Sequence, residues 1–323
     1  MFRFAGFIVA VLLGWGAPAA AQDYPVTVRS CSESVTFDGP PQRPIVNDTN
    51  MVQTIVDMGL LDRFMAVTGI DGAEHYIKGV PAVIEAMLKK QVKSPGRYPS
   101  LEGLLTLKPD FYFGGWQYGF SEQIFITPER LAGFNIKSYI LNESCIRVGP
   151  RAPISMDTLY TDILALGRIF GITARAEAMV ADFRQRVAAV TSRTATVKQR
   201  YRVMYCGDCN SDAAFLTIGA EGMPKLLATL AGGQNIFDDI PDSYVRVTWD
   251  RVIPRDPEWI IISDNRIPTD DIVRYLTTNP RLKDLTAVKK RQFVFMTYPE
   301  RSPSTRNVEA LERLARTLHP ELF

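Results

Sequence analysis

Residues 101–111 and 249–259 spell out the same local structure twice. Leu101-Glu102-Gly103-Leu104-Leu105 leads into Pro109-Asp110-Phe111, and Trp249-Asp250-Arg251-Val252-Ile253 leads into Pro257-Glu258-Trp259. The offset is constant, since 250 minus 102 and 257 minus 109 both give 148, and the match runs without a gap. Each copy reads as a short capped helix with an acid in its first turn, a proline-acid stop and then a buried strand. One βα match of this kind is common, whereas an ungapped run over the whole stretch predicts two lobes of like topology. With 323 residues and 46% hydrophobic content, the chain carries enough apolar mass for two such cores.

The segments around the echo supply an α/β alternation. Val26 to Phe37 alternates like a short edge hairpin, which Pro40-Pro41 then breaks. Pro44-Ile45-Val46-Asn47 reads as a strand and Asp48-Thr49-Asn50 as a capping turn. Met51, Val52, Ile55, Val56 and Met58 form the apolar face of a helix closed by Gly59. Strands at Phe64 to Thr68, Phe111 to Phe113 and Ile136 to Leu141, with a helix from Leu101 to Leu107, complete one parallel-sheet domain. From Ser155 the pattern changes: Leu159, Ile163, Leu166 and Phe170 share one helical face, Gly171 stops it, and Met179, Val180, Phe183, Val187 and Val190 continue on a second helix. Strands at Tyr201 to Tyr205, Trp259 to Ile262 and Phe293 to Met296 follow, with helices at Met223 to Ala231, Asp270 to Thr277 and Asn307 to Leu318. The expected division is a leader over 1–21, an N-terminal α/β lobe over 22–154, an interlobe helical segment over 155–196 and a C-terminal α/β lobe over 197–323.

Arg3, the apolar run Phe4 to Trp15 and Ala19-Ala20-Ala21 before Gln22 have the layout of a cleavable signal peptide. No Cys stands beside the cleavage point to take a lipid, so the product is expected to be free in a Gram-negative periplasm. Lys+Arg 37 against Asp+Glu 35 leaves no electrostatic case for a nucleic-acid partner. After residue 21 no stretch is long and apolar enough to span a bilayer. In an oxidising compartment the four Cys can pair: Cys206 and Cys209 close a small loop, which leaves Cys31 with Cys145. A redox pair or half a metal site are the rival readings of Cys206-Gly207-Asp208-Cys209. With His75 and His319 as the only imidazoles, a three-His zinc centre is excluded, and neither a metal site of the protein's own nor a resident cofactor is expected. A lone loop residue such as His75 is more often a surface or hydrogen-bonding group than a haem or cobalt ligand.

Taken in order, these segments resemble the periplasmic solute-binding proteins of ABC importers, in the class III branch that carries ferric siderophores, cobalamin and haem. The resemblance rests on Arg43-Pro-Ile-Val-Asn47, on Ile55 to Gly69, on Leu101-Glu102 through Pro109-Asp110, on Leu166 to Gly171 with Ala176-Glu-Ala-Met-Val180, and on Leu230 to Asn235, Pro257 to Ile262 and Leu285 to Phe295. It implies two Rossmann-like lobes joined by a long rigid helix around Ala176 to Val190, a ligand cleft between them, little hinge motion, a monomer and no enzymatic activity. It also implies two partners, a permease and its ATPase, with one exposed carboxylate on each lobe meeting Arg residues of the permease. The matching positions are Glu102 and Asp250, the acids of the echo; Asp250 is shorter than the Glu usual there. The plainer reading of both is that an acid in a first helical turn complements the helix dipole.

Ligands of open α/β sheets sit beyond the carboxyl ends of the strands. The loops expected there carry Arg97, Tyr98, Trp116 and Tyr118 on the first lobe and Tyr244, Arg246, Arg266, Tyr298 and Arg301 on the second. Arginine forks and aromatic faces suit an anionic ligand with flat apolar parts. The expected function is capture of a metal chelate, a ferric siderophore first, with a corrinoid or haem as alternatives. The rivals are a periplasmic redox protein using Cys206 and Cys209, or a sensor that reports its ligand to a membrane receptor. No GxSxG elbow, phosphate loop or HExxH supports an enzyme.

Overall fold

A strand buried on one face alternates, and a strand buried on both does not. In a computed structural model, which describes residues 23–323 apart from Gly96, Asn265 and Arg266, both kinds occur. β1 (Val26–Ser30) and β2 (Glu33–Phe37) form an antiparallel hairpin in which Val26, Val28 and Phe37 are buried and their neighbours face solvent. β3 (Pro44–Asn47), β4 (Ala66–Thr68), β5 (Phe111–Gly114) and β6 (Lys137–Ile140) are buried at nearly every position and run parallel in the order β4-β3-β5-β6. Beyond residue 200 come β7 (Tyr201–Cys206), β8 (Phe215–Ile218), β9 (Gly233–Asn235), β10 (Tyr244–Val247), β11 (Trp259–Asp264) and β12 (Phe293–Thr297). Of these, β9, β7, β11 and β12 form a second parallel sheet in that order, and β8 pairs antiparallel with β10. Each parallel sheet therefore places its second strand first, then its first, third and fourth. The α/β architecture and the like topology expected from the echo are both present.

The echo is one capping device used twice. Phe111 opens β5 and Trp259 opens β11, the third strand of each sheet. Just before them Lys108 and Asp256 adopt left-handed backbone, φ 50° and 40°, which turns the chain from helix into strand. The carbonyl of Lys108 accepts Nε–H of Arg43 at 2.8 Å, and that of Asp256 accepts Nε–H of Arg202 at 2.8 Å. The Asp110 carboxylate accepts the Arg43 backbone N–H at 2.8 Å, as Glu258 accepts that of Arg202 at 2.9 Å. The start of the third strand is thereby fixed to the start of the first in both lobes.

Alternation along the buried strands sorts side chains into layers. Val46, Phe111 and Phe113 face one side of the first sheet and Ile45 and Tyr112 the other; Val203, Tyr205 and Ile261 separate in the same way from Met204, Ile260 and Ile262 in the second. The inner layers join. One apolar cluster runs from Phe113 and Tyr139 through Leu166, Val180 and Phe183 of the interlobe helices to Val203, Ile261 and Leu311. Helix Thr173–Thr194, roughly 33 Å long, is the connecting element. It packs on helix Met156–Ile169, where a Cβ at Gly167 would lie 2.4 Å from Cβ of Ala176, and on helix Asn307–Leu318, where Arg186 grips Glu312 with two bonds of 2.8 Å.

Both disulfides form, Cys31–Cys145 across 114 residues and Cys206–Cys209 across three. Cys206 ends β7 instead of opening a helix, and both of its loop's sulfur-bearing residues are fully buried, a poor setting for thiol exchange. The long bridge ties the N-terminal hairpin to the segment after β6. Replacing Cys31 and Cys145 by Ala is expected to lower unfolding free energy by about 3 kcal/mol in chemical denaturation, chiefly by freeing the unfolded chain. Among the described residues no helix is long and apolar enough to cross a membrane, and the leader expected over 1–21 lies outside them.

Several elements differ from expectation: β8, β9 and helix Pro128–Gly133 were not expected, and Trp116–Gly119 and Tyr298–Arg301, expected as loops, are short helices. Tyr244-Val245-Arg246, expected as a loop, is strand β10: its partner β8 lies upstream across helix Met223–Leu230, so the pairing leaves no local signal. Helix Pro81–Lys90 was not foreseen, because Met87 is its sole buried side chain and its apolar stripe is weak.

Candidate functional site

The order second-first-third-fourth puts a topological switch point between β3 and β5 in one lobe and between β7 and β11 in the other. The loops leaving these strands converge on one cavity of about 580 Å³. Arg97, Tyr98, Trp116 and Tyr118 line it from the first lobe, and Tyr244, Arg246, Tyr298 and Arg301 from the second. Eight of the nine residues singled out from the sequence thus share one space. The ninth, Arg266, lies outside the described residues, although Ile267 beside it is on the lining.

Three of the first-lobe positions sit in left-handed backbone: Asp48 at φ 83°, Arg97 at φ 81° and Trp116 at φ 57°. For residues other than Gly such conformations cost on the order of 1–3 kcal/mol and persist where the surroundings fix them. Here the surroundings are polar and buried. Tyr298 donates its hydroxyl to Asp48 Oδ2 at 2.6 Å, so the 2.8 Å bond between the hydroxyls of Tyr118 and Tyr298 has Tyr118 as donor. Arg97 closes the group from the other side, with Nη2 3.5 Å from Asp48 Oδ1 and 3.1 Å from Thr49 Oγ1, and Nε on the Gly69 carbonyl at 2.8 Å. Burial, with the Asp48 carboxylate close by, pushes the phenols of Tyr118 and Tyr298 far above their ordinary range, so both stay neutral. This chain crosses from one lobe to the other. Asn50 Nδ2 to the Pro303 carbonyl at 2.8 Å and Arg306 to Asp57 at 2.8 Å reinforce the crossing.

Aromatic surfaces form the walls. Tyr98 and Tyr118 stack at 4.4 Å with planes 18° apart, and Trp116 meets Tyr244 edge to face at 5.6 Å. Against them stand the arginines, in unequal states. Arg246 is spent on Asp208 at 2.9 Å and on the Ala214 carbonyl. Arg301 is 5% exposed, lies 4.3 Å over the Tyr298 ring, and donates to the Tyr244 hydroxyl at 3.1 Å. No carboxylate pairs with it among the described residues, and its Nε has no partner. Tyr205 and Ser263, both buried, lie diagonally on one face of the second sheet by strand register, close to each other and off the cavity lining. A buried cation without a carboxylate partner is a setting that favours contact with an anion.

Sequence reasoning missed Arg147 and the role of Asp208, which both line the cavity. Arg147 ends the turn Asn142–Arg147 that Cys145 anchors, and it holds Asp242 at 3.0 Å and the Tyr244 carbonyl at 3.3 Å. The only available signal was its closeness to Cys145. In the same turn Glu143 is fully buried and receives the Met223 N–H at 3.2 Å; nearby Asp162, also buried, accepts from Tyr139 OH at 2.9 Å and from the Asn142 N–H at 3.1 Å. Burial raises the carboxyls of Glu143 and Asp162 to about 8. A carboxyl whose folded value exceeds its unfolded one, about 4, contributes stability that is whole below the unfolded value and is lost as pH rises through the folded one. The melting temperature of the unliganded protein is therefore expected to fall between about pH 4 and about pH 9, and Asp162→Asn, which keeps an acceptor for Tyr139, to flatten that fall. Calorimetry across the range checks it.

Glu102 and Asp250 do not line the cavity. Both are exposed in short helices at equivalent places, Leu101–Thr106 with Ser100 as cap and Trp249–Val252. Asp250 lies 2.5 Å from Arg281, whereas Glu102 has no ion pair among the described residues. Neither His reaches the cavity lining: His75 is exposed against Tyr76, and His319 is buried on the Gly232 carbonyl. Among the described residues no cluster of three potential metal ligands occurs.

The family profile described as periplasmic binding protein matches residues 45–299. The cobalamin-binding protein of Halobacterium salinarum is 25% identical over 308 residues, which cover 93% of this chain and 75% of that protein. Among solved structures, an ABC-type Fe3+-hydroxamate transport system from Saccharomonospora viridis superposes with a TM-score of 0.75 at 23% identity, over 91% of this chain and 99% of that one. A periplasmic heme binding protein from Pseudomonas aeruginosa gives 0.69 at 19% identity, over 87% and 93%.

Proposed function

Because the chain belongs to the periplasmic binding protein family, we propose that it is the substrate-binding component of an ABC importer, exported by a leader over residues 1–21, and that it captures a ferric siderophore. The cargo rests in the cleft and passes unaltered to an inner-membrane permease and its ATPase. The relatives are substrate-binding proteins, not enzymes. The observation that carries the ligand class is Arg301: a buried cation with no carboxylate partner, facing a cavity between two aromatic walls. An anionic oxygen donor of a chelate completes it, while Tyr98, Tyr118 and Trp116 cover the apolar parts. Glu102 and Asp250 are the docking acids of this reading.

A corrinoid is the second reading, favoured by the cobalamin-binding relative from Halobacterium salinarum. Haem held by histidine finds no imidazole on the cavity lining. The test is a fluorescence and thermal-shift titration of the mature protein with a ferric trihydroxamate, a ferric catecholate, cyanocobalamin and hemin. A ligand at a hundred times its dissociation constant adds about 2.7 kcal/mol of stability. Binding of an iron chelate supports the first reading, binding of cyanocobalamin alone replaces it with the second, and stabilisation by none of the four overturns both.

A further inference from the structure

A second hollow of about 390 Å³ adjoins the cleft on the first lobe, with Gln117 and Arg147 bordering both. Its lining mixes polar side chains with the apolar Val35 and Val148, and the buried Phe120, Ile126 and Ile140 stand behind them. Set among them is Ser138, only 5% exposed, whose hydroxyl has no hydrogen-bond partner among the described residues. Ser121 Oγ, on the same lining, is buried and also unpartnered. The rim has the opposite charge to the cleft. Glu33, Glu122 and Glu129 stand on it; Glu122 is met by Arg130 at 3.0 Å, and the other two have no ion pair among the described residues. The one arginine on this lining, Arg147, is committed to Asp242.

We propose that this hollow is a subsite for an aliphatic, amine-terminated arm of the ligand whose anionic head occupies the cleft. The assignment rests on the siderophore-binding reading. An alkylammonium matches each feature: its methylenes lie along Val35 and Val148, and its three N–H donors find the unfilled acceptor of Ser138 and the carboxylates of the rim. A second anionic arm is repelled by Glu33 and Glu129, and a purely apolar one leaves the buried Ser138 hydroxyl unmet. The sign change across Gln117 and Arg147 therefore selects a ligand that is negative at one end and positive at the other.

The test uses the mature full-length protein and three probes: a linear ferric trihydroxamate with a free terminal amine, the same chelate with that amine acetylated, and a cyclic ferric trihydroxamate without an arm. The amine form is expected to bind about tenfold more tightly than the acetylated form. Combining Glu33→Gln, Glu122→Gln and Glu129→Gln should bring the two within about twofold while leaving the cyclic chelate unaffected. Equal binding of the amine and acetylated forms by the unmodified protein overturns the subsite alone. So does a matching loss for the cyclic chelate in the triple variant, which marks the acids as merely structural. Failure of all three probes to bind overturns the siderophore reading, and the subsite with it.

Discussion

Arg301→Ala lowers affinity for an iron chelate on the order of a thousand-fold, the largest effect expected of any single cleft substitution. Removing one member of a buried ionic contact costs about 3–5 kcal/mol, and each 1.4 kcal/mol is tenfold in affinity. Arg301 meets that condition only when the ligand is present. Without ligand it has the Tyr244 hydroxyl at 3.1 Å and the face of Tyr298 at 4.3 Å, but no carboxylate among the described residues. The unliganded variant should accordingly be no less stable than the parent, since a buried charge without a counter-ion opposes folding. That pairing of outcomes separates a ligand contact from a packing role. Arg301→Lys should recover only part of the loss, because an ammonium keeps the charge but not the planar fork. Fluorescence titration alongside thermal unfolding reads both quantities. Affinity within threefold of the parent in Arg301→Ala would remove the residue from the site.

Reversing charge at both Glu102 and Asp250, each to Lys, abolishes uptake in cells while the purified protein binds its chelate with unchanged affinity. The two carboxylates lie outside the cavity, exposed, on helices placed alike in the two lobes. Juxtaposed like charges at a docking surface cost several kcal/mol, so two reversals facing arginines leave little association. The halves are unequal. Asp250 already lies 2.5 Å from Arg281, so Glu102→Lys alone should reduce uptake more than Asp250→Lys alone. Arg281→Ala frees Asp250 and should weaken uptake least. If chelate affinity drops together with transport in the double variant, the acids belong to the fold and not to docking.

Much of this was legible because it was local. Pro44–Asn47 is apolar at both alternate positions, which marks a strand covered on both faces, and the eleven-residue echo sets the third strand of each sheet. Loops that follow such strands must lie at the carboxyl edge, which is why six of the chosen side chains fell into one cavity, while Tyr244 and Arg246 reach it from β10. What stayed hidden was relational. β10 exists only through β8, and Arg147 reaches the cleft only because Cys31 holds Cys145 beside the hairpin. Nor does any sequence pattern separate Arg246, neutralised by Asp208, from Arg301, which has no such neighbour. The fold followed from periodicity; the difference between two arginines followed from what each faces.

The shared inner core and the Tyr118-Tyr298-Asp48 chain hold the two lobes in register even when nothing lies between them. A carrier built this way is expected to keep almost the same outline full and empty. Its membrane partner then has little silhouette to read, and vacant copies compete for the same landing place as loaded ones. Import driven by such a carrier should pass through a maximum as its concentration outgrows that of its cargo.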